Sequence, residues 1–340
     1  MADRRERNTA VLFKLEPVYG TDAVPTAGSD AVLLRKFAAK QEIKYENNPE
    51  VRPYFGAGLD TVAETHVSGS FEVALAGSGA AGTAPMWGRI LRAAGFAEAV
   101  TAATRVDYTP VSSALESASM YYYDDGVLKK VLGLRCNITG FKLGYGGIPV
   151  MAVSFIGLDG GDTAVATPAL TLTPWQTPLP VNQSNSGLLT LGCTYSAGAL
   201  AGGTTYPSSG LDLALGGKVN FMGLLGGEAV DFTDRAVSGK ITLDLTAAQE
   251  ISNLAAVKAG TAQGIGLLHG TAAGHKVLTH LPNAARPPRA PATTSGGLSH
   301  YSFSGPSRLP PRPLAGIEVR GFSPVQRNFN GAKRNPSLRY

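Results

Sequence analysis

Apolar and polar residues alternate with a period of two in short runs along most of this chain, and Gly, Pro, Asn or Asp ends each run. That is the pattern of antiparallel strands with one buried and one wet face. It predicts strands over residues 10–15, 61–76, 118–123, 127–132, 135–143, 150–156, 218–222 and 240–245. In Lys240-Ile-Thr-Leu-Asp-Leu245, Ile241, Leu243 and Leu245 take one face and Lys240, Thr242 and Asp244 the other. The clearest hairpin is "ASMYYYDDGVLKKVLGL", where Asp125-Gly126 suits a left-handed turn; Tyr121 and Tyr123 share a face and Tyr122 takes the opposite one. Helical spacing is firm in two places only. One is Pro85 to Ala94, capped by Thr83 and stopped by Gly95, with Met86, Trp87, Ile90, Leu91 and Ala94 on its apolar face; the other is Ala247 to Lys258, closed by Gly260. The expected fold is mainly β, an antiparallel sandwich or barrel type with one or two short packing helices.

Three stretches lack this order. Residues 41–61 hold prolines, asparagines and aromatics with no steady period, and read as a long loop of the kind that carries function. Residues 157–190, rich in Thr, Pro and Gly, read as an excursion from the sheet. Residues 283–340 are too rich in proline for the interior of a sheet, so the expected organisation is one β domain over 1–282 followed by an irregular basic tail. Charge sharpens that boundary. The net +5 is uneven: residues 281–340 carry nine Lys/Arg and one acid, which leaves 21 basic and 24 acidic residues, a net of −3, in 1–280. Two readings of the tail stand side by side: a basic arm on the exterior that reaches an acidic neighbour, or the out-of-frame product of a G+C-rich gene.

Composition excludes several classes. The 42 glycines and 22 prolines exceed ordinary usage and go with many turns and short strands. No run of apolar residues is long enough for a membrane span, and Met-Ala-Asp-Arg-Arg-Glu-Arg lacks the apolar core of a signal peptide, so synthesis in a cytosol is expected. Cys136 and Cys193 stand far apart, which fits buried free thiols and no disulfide framework. His269, His275 and His280 share no helical face and have no carboxylate or thiol beside them, so no metal is expected there and they are assigned to loops and strand ends. Gly77-Ser-Gly-Ala-Ala-Gly82 has the spacing of a dinucleotide loop. The preceding Phe71-Glu-Val-Ala-Leu-Ala76 alternates, whereas a first Rossmann strand is buried on both faces, so the glycines read as a tight turn into the short helix. With no nucleophile elbow, zinc-protease motif or phosphate loop, neither catalysis nor a cofactor is expected.

Four segments together carry a family resemblance: "YGTDAVPTAGSDAVLL" (19–34), "GSGAAGTAPMWGRILRAAGF" (77–96), the long run from "YTPVSSALESASMYYYDDG" through "ITGFKLGYGGIPVMAVSFIG" (108–157), and "VDFTDRAVSGKITLDL" (230–245). In this order and spacing, over roughly residues 10–282, the chain resembles the tail tube, or major tail, proteins of long non-contractile-tailed bacteriophages. The resemblance implies a structural virion protein, assembled in the host cytoplasm, whose hexameric rings stack into a tube that conducts DNA on ejection. It further implies self-contacts within and between rings. The tape measure protein, tail assembly chaperones, tail terminator and distal tail protein follow as partners, and DNA passes without specific binding.

Within that frame Tyr45, Arg52, Tyr54 and Phe55 are candidate oligomer contacts, since aromatic and Arg residues dominate interface energetics. Glu64, Glu72 and Asp244, on the wet faces of their strands, are candidate channel residues, where acidic or neutral groups let the DNA backbone slide. Their alternative is an ordinary outer surface. Tyr121 to Tyr123 and Trp175 also admit a carbohydrate- or receptor-binding β module.

Overall fold

The computed structural model describes residues 8–51, 53, 55–56 and 58–284, together with the backbone of three later strands. The first alternating run forms β1 (Thr9–Leu15), and β2 (Arg35–Asn47) and β3 (Asp60–Ala74) form a long hairpin. The short helix α1 (Gly88–Ala93) leads into a second hairpin, β4 (Phe96–Thr101) and β5 (Arg105–Pro110). A meander of β6 (Ala118–Asp124), β7 (Val127–Gly144) and β8 (Val150–Ala164) follows. Four three-residue strands come next: β9 (Leu189–Leu191), β10 (Thr194–Ser196), β11 (Ala199–Ala201) and β12 (Thr204–Tyr206). Then come β13 (Ser208–Ala214), the ribbon of β14 (Gly217–Leu224) and β15 (Gly227–Arg235), and β16 (Ser238–Asp244). The second helix α2 (Ala247–Lys258) precedes β17 (Gln263–His269) and β18 (Lys276–Ala284). The later strands are β19 (Thr294–Ser295), β20 (Leu298–Ser304) and β21 (Ile317–Arg320).

The protein is mainly β, and every strand pair is antiparallel. One sheet runs β19-β20-β16-β13-β7-β8-β3-β2, with β6 and then β1 branching from β7; the other runs β12-β9-β17-β18-β21-β5-β4. Neither closes into a barrel. The branch arises because β7 is long. Its first half pairs with β6, its last residues with β13, and β8 runs along its other edge. The inward residues of both sheets, including Phe71, Val73, Phe141 and Leu211 from one and Val106, Tyr108, Leu191 and Ile265 from the other, form one core with Trp87, Ile90 and Leu91 at α1. A smaller core lies on the far side of β1 and β6, where Tyr121 and Tyr123 meet Ala27, Leu170 and Leu172. The tyrosine triplet is thus divided as its alternation implied, with Tyr122 in the main core.

The glycines of the 77–82 loop serve close backbone packing. A Cβ at Gly77 would run into the Gly274 carbonyl, and the Gly79 N–H donates to that same oxygen at 3.0 Å. The Trp87 indole N–H then donates to the Ala76 carbonyl at 2.7 Å and ties the loop to the helix behind it.

Several boundaries differ from the sequence reading. The loop expected over 41–61 is strand through Asn47 and again from Asp60. Those strand residues face water on both sides, so no apolar period marks them. The excursion expected from 157 begins after Ala164, since β8 continues to pair with the start of β7. The two strands expected over 127–132 and 135–143 are one, because register shifts absorb the irregularity at Gly133. The helix expected from Pro85 starts at Gly88 after a turn, and its N-cap is Trp87 with no side-chain cap, so Thr83 does not serve. Among the histidines, His269 ends β17, but His280 lies within β18. The tail expected to be irregular contributes strands: β20 pairs with β16 over seven residues, and β21 fills the gap between β18 and β5.

Candidate assembly surfaces

The segment 16–34 between β1 and β2 is fixed by three carboxylates. Glu16, almost fully buried, accepts from the Ser117 and Ser119 hydroxyls at 2.6 and 2.8 Å and from the Gly20 and Gly133 N–H groups at 2.8 Å each. Gly133 has φ +56, and a Cβ there would press on the Tyr19 ring, so this crossing needs glycine. Asp22 accepts from the Tyr121 hydroxyl, from Lys130 Nζ at 3.0 Å and from the Val24 N–H. Asp30 accepts from Arg89 at 2.7 Å and from the Thr26 N–H. Partial burial opposes ionisation of both aspartates, but these hydrogen bonds outweigh it and hold both carboxyls below the usual range.

A second clasp joins the β14–β15 ribbon to the body. Arg235 donates to the Ala94 and Gly95 carbonyls at the end of α1, between the rings of Phe96 and Phe232. Burial lowers its pKa to about 10, so it stays charged and complements the helix C-terminus. Arg135 pairs with Asp231 at 2.8 Å, and the Tyr19 hydroxyl accepts from the Val230 N–H. Phe221 stacks on His66 with ring centroids 4.7 Å apart, so the ribbon lies across the face of the large sheet that points away from the core.

Beyond Val67, β3 leaves β8 and projects with β2 as a two-stranded arm. From Val67 to Asp60 the arm extends by about 20 Å at roughly 3.3 Å per residue. Lys44 lies opposite Glu64 and Tyr45 opposite Val62. Tyr45 is 57% exposed, and Phe55, Val51 and Leu59 in the turn are largely or wholly in solvent. Arg52 and Tyr54 lie outside the described residues. Among the described residues β2 pairs with β3 alone, so a thirteen-residue strand leaves one edge open.

Pairing along the strands places Glu64, Glu72 and Asp244 on one face of the large sheet, the one away from the core. They do not form a cluster. Glu72 pairs with Lys36 at 2.8 Å, Glu64 sits 3.3 Å from His66 beside the ribbon, and Asp244 is exposed at the far end of β16. Across the open part of this face Lys142 lies opposite Asp212, which lies opposite Lys240. The face is a charge-alternating polar surface and not an acidic one.

Other exposed apolar groups gave little sequence signal. Among them are Leu224 and Leu225 at the ribbon tip, Tyr145 in the β7–β8 turn, and Ile251 and Leu254 on α2. The first two adjoin Gly226-Gly227, a turn signature; the last two look like the buried stripe of an amphipathic helix yet face outward.

A sandwich with an open-edged arm and a polar outer sheet face is suited to repetition. A family model described as phage tail tube protein matches residues 6–307. The chain belongs to the phage tail tube protein family. A search of curated proteins returned no match. As a tail tube protein it is a structural component of the virion, from a family that is not one of enzymes, and it assembles with copies of itself into a tube. No helix among the described residues is long and apolar enough to cross a membrane. The matched span takes in β20.

Proposed function

We propose that this chain builds hexameric rings that stack into the tail tube, a conduit through which phage DNA leaves for the host. The observation that carries the reading is the arm: a long hairpin with an open edge and an apolar turn has no use in a monomer, where such an edge is an aggregation hazard. Joining the edge of β2 to the far edge of the same sheet in a neighbour removes both edges and closes a barrel. The turn, with Tyr45, Arg52, Tyr54 and Phe55, makes the contacts between copies.

The polar face of the large sheet then lines the channel, with Glu72 and Asp244 on its open part and Glu64 beside the ribbon. Alternating Lys and Asp leave it close to neutral, so the phosphate backbone gains little from counterion release and slides. Assembly takes place in the host cytoplasm. The tape measure protein inside the tube, and the assembly chaperones, terminator and distal tail protein at its ends, are the partners this role calls for.

Electron microscopy of the purified full chain over a range of concentrations tests the proposal. Sixfold rings with a central channel, alone or stacked, are expected; a compact monomer at every concentration, with and without the other tail proteins, overturns it.

A further inference from the structure

The small sheet lies on the side of the core away from the face proposed for the channel, and its two edges differ. β12 at one end is three residues long. β4 at the other runs for six, in unbroken register with β5, and among the described residues it has no second strand partner. An edge strand is ordinarily guarded by Lys, Pro, a bulge or an inward charge. Phe96-Ala-Glu-Ala-Val-Thr101 has only the last of these, Glu98. The register fixes what the open edge offers. The Val111 N–H donates to the Gly95 carbonyl at 2.9 Å, so the ladder bonds to β5 fall at Ala97, Ala99 and Thr101, and the N–H and C=O groups of Phe96, Glu98 and Val100 point outward. The same three side chains take the core-side face, since Glu98 lies opposite the buried Tyr108 and Val100 opposite the buried Val106. Phe96 is covered there, whereas Val100 is 56% exposed.

Glu98 lines an open groove of about 290 Å³ between the end of α1, β4 and the segment after β5. The charged residues of the lining are Arg92, Glu98 and Glu116, and Phe96, Val111 and Ala114 supply apolar wall. Arg92 donates twice to Glu116, at 2.6 and 2.7 Å, and stands 3.6 Å from Glu98, which accepts from the Tyr108 hydroxyl at 2.6 Å. One guanidinium thus serves two carboxylates, and the lining carries one negative charge in excess. Arg235 lies outside the lining, with its guanidinium on the Ala94 and Gly95 carbonyls.

We infer that the edge of β4 receives an extended segment of another protein, with a Lys or Arg opposite Glu98 and an apolar residue opposite Val100. Side chains directly across a ladder share a face, so the cation reaches the groove and the apolar residue covers Val100. Glu98 also selects against other strands. A neutral residue opposite it leaves the carboxylate without a partner charge, and a second β4 paired about this position sets Glu98 against Glu98. The site lies on the small sheet and does not depend on the tube reading.

The test is fluorescence anisotropy on the full chain with two labelled peptides, Thr-Val-Thr-Lys-Thr-Val-Thr and its counterpart with Glu in place of Lys. Saturable binding of the Lys peptide is expected, with the Glu peptide weaker by about tenfold. Glu98→Gln keeps an acceptor for the Tyr108 hydroxyl and is expected to erase that preference. Val100→Pro removes an outward donor and no ladder bond, so it is expected to abolish binding of the Lys peptide. No saturation by the Lys peptide up to about 1 mM overturns the inference. So does equal binding of the two peptides, a preference that survives Glu98→Gln, or binding undiminished by Val100→Pro. Should the proline unfold the strand, the peptide pair and Glu98→Gln still decide.

Discussion

The two halves of β3 make opposite use of one strand. From Val67 to Ala74 it lies between β2 and β8, and Val67, Phe71 and Val73 are buried in the main core. From Asp60 to His66 it has one strand partner and adds nothing to the main core; only its base, at Glu64 to His66, is half-buried, and Val62 stands exposed. The first half is held by the fold around it. The second is held by its ladder with β2 and, at its base, by the stack of His66 on Phe221 of the ribbon, while Val62 further out stays exposed. On the proposed function, stability belongs to the first half and assembly to the second, with the division near Val67.

Substitutions on the two sides separate these roles. Phe71→Ala opens a cavity against Phe155, and a loss of about 3–5 kcal/mol is expected by urea denaturation. Glu16→Gln keeps one acceptor but puts an amide N–H₂ among four donors, so a loss of about 2–3 kcal/mol is expected, although this group looks like a surface acid in the sequence. Val62→Ala on the arm is expected to change monomer stability by less than about 0.5 kcal/mol. A loss as large as that of Phe71→Ala would erase the division.

Acid sharpens the contrast. Burial lowers the pKa of His269 and of His280, so below about pH 6.5 the unfolded chain takes up protons that the folded chain resists. Stability therefore falls as pH drops through that value. Asp22 and Asp30 are also depressed, and their contribution, full above the unfolded value of about 3.9, is lost as pH falls further through their folded values. All four groups belong to the body. The urea midpoint is expected to fall in two stages between pH 8 and pH 3, and a flat profile would contradict the burial of these histidines and the hydrogen bonds to Asp22 and Asp30.

Much of the body was legible because burial imposes a period. Residues 118–123 read as strand and are strand, the run expected over 240–245 is strand to Asp244, and α2 has the bounds its spacing gave. The arm was not legible as strand. Gln41 to Asn47 lie largely in solvent on both sides, and their ladder with β3 and a few side-chain hydrogen bonds, such as Gln41 to Asp159 and Asn47 to Asp60, hold them extended without an apolar period. Three-residue strands such as β9 are too short to show a period, and β20 and β21 are hidden between prolines. At the candidate surfaces Tyr45 and Phe55 stood out as aromatics in an unpatterned stretch, and both are exposed. Glu16, Asp22 and Asp30 passed as loop polarity, since their partners lie up to 117 residues away. The outward turn of Ile251 and Leu254 is a tertiary fact that helical spacing alone does not carry.

Replacing residues 48–59 with Asn-Gly tests the division most directly, because Asn47 and Asp60 already face each other and a two-residue turn closes them. The account predicts an unfolding midpoint equal to that of the full chain and, by electron microscopy, no stacked tubes. Tubes of normal length, or a chain that no longer folds, would contradict it.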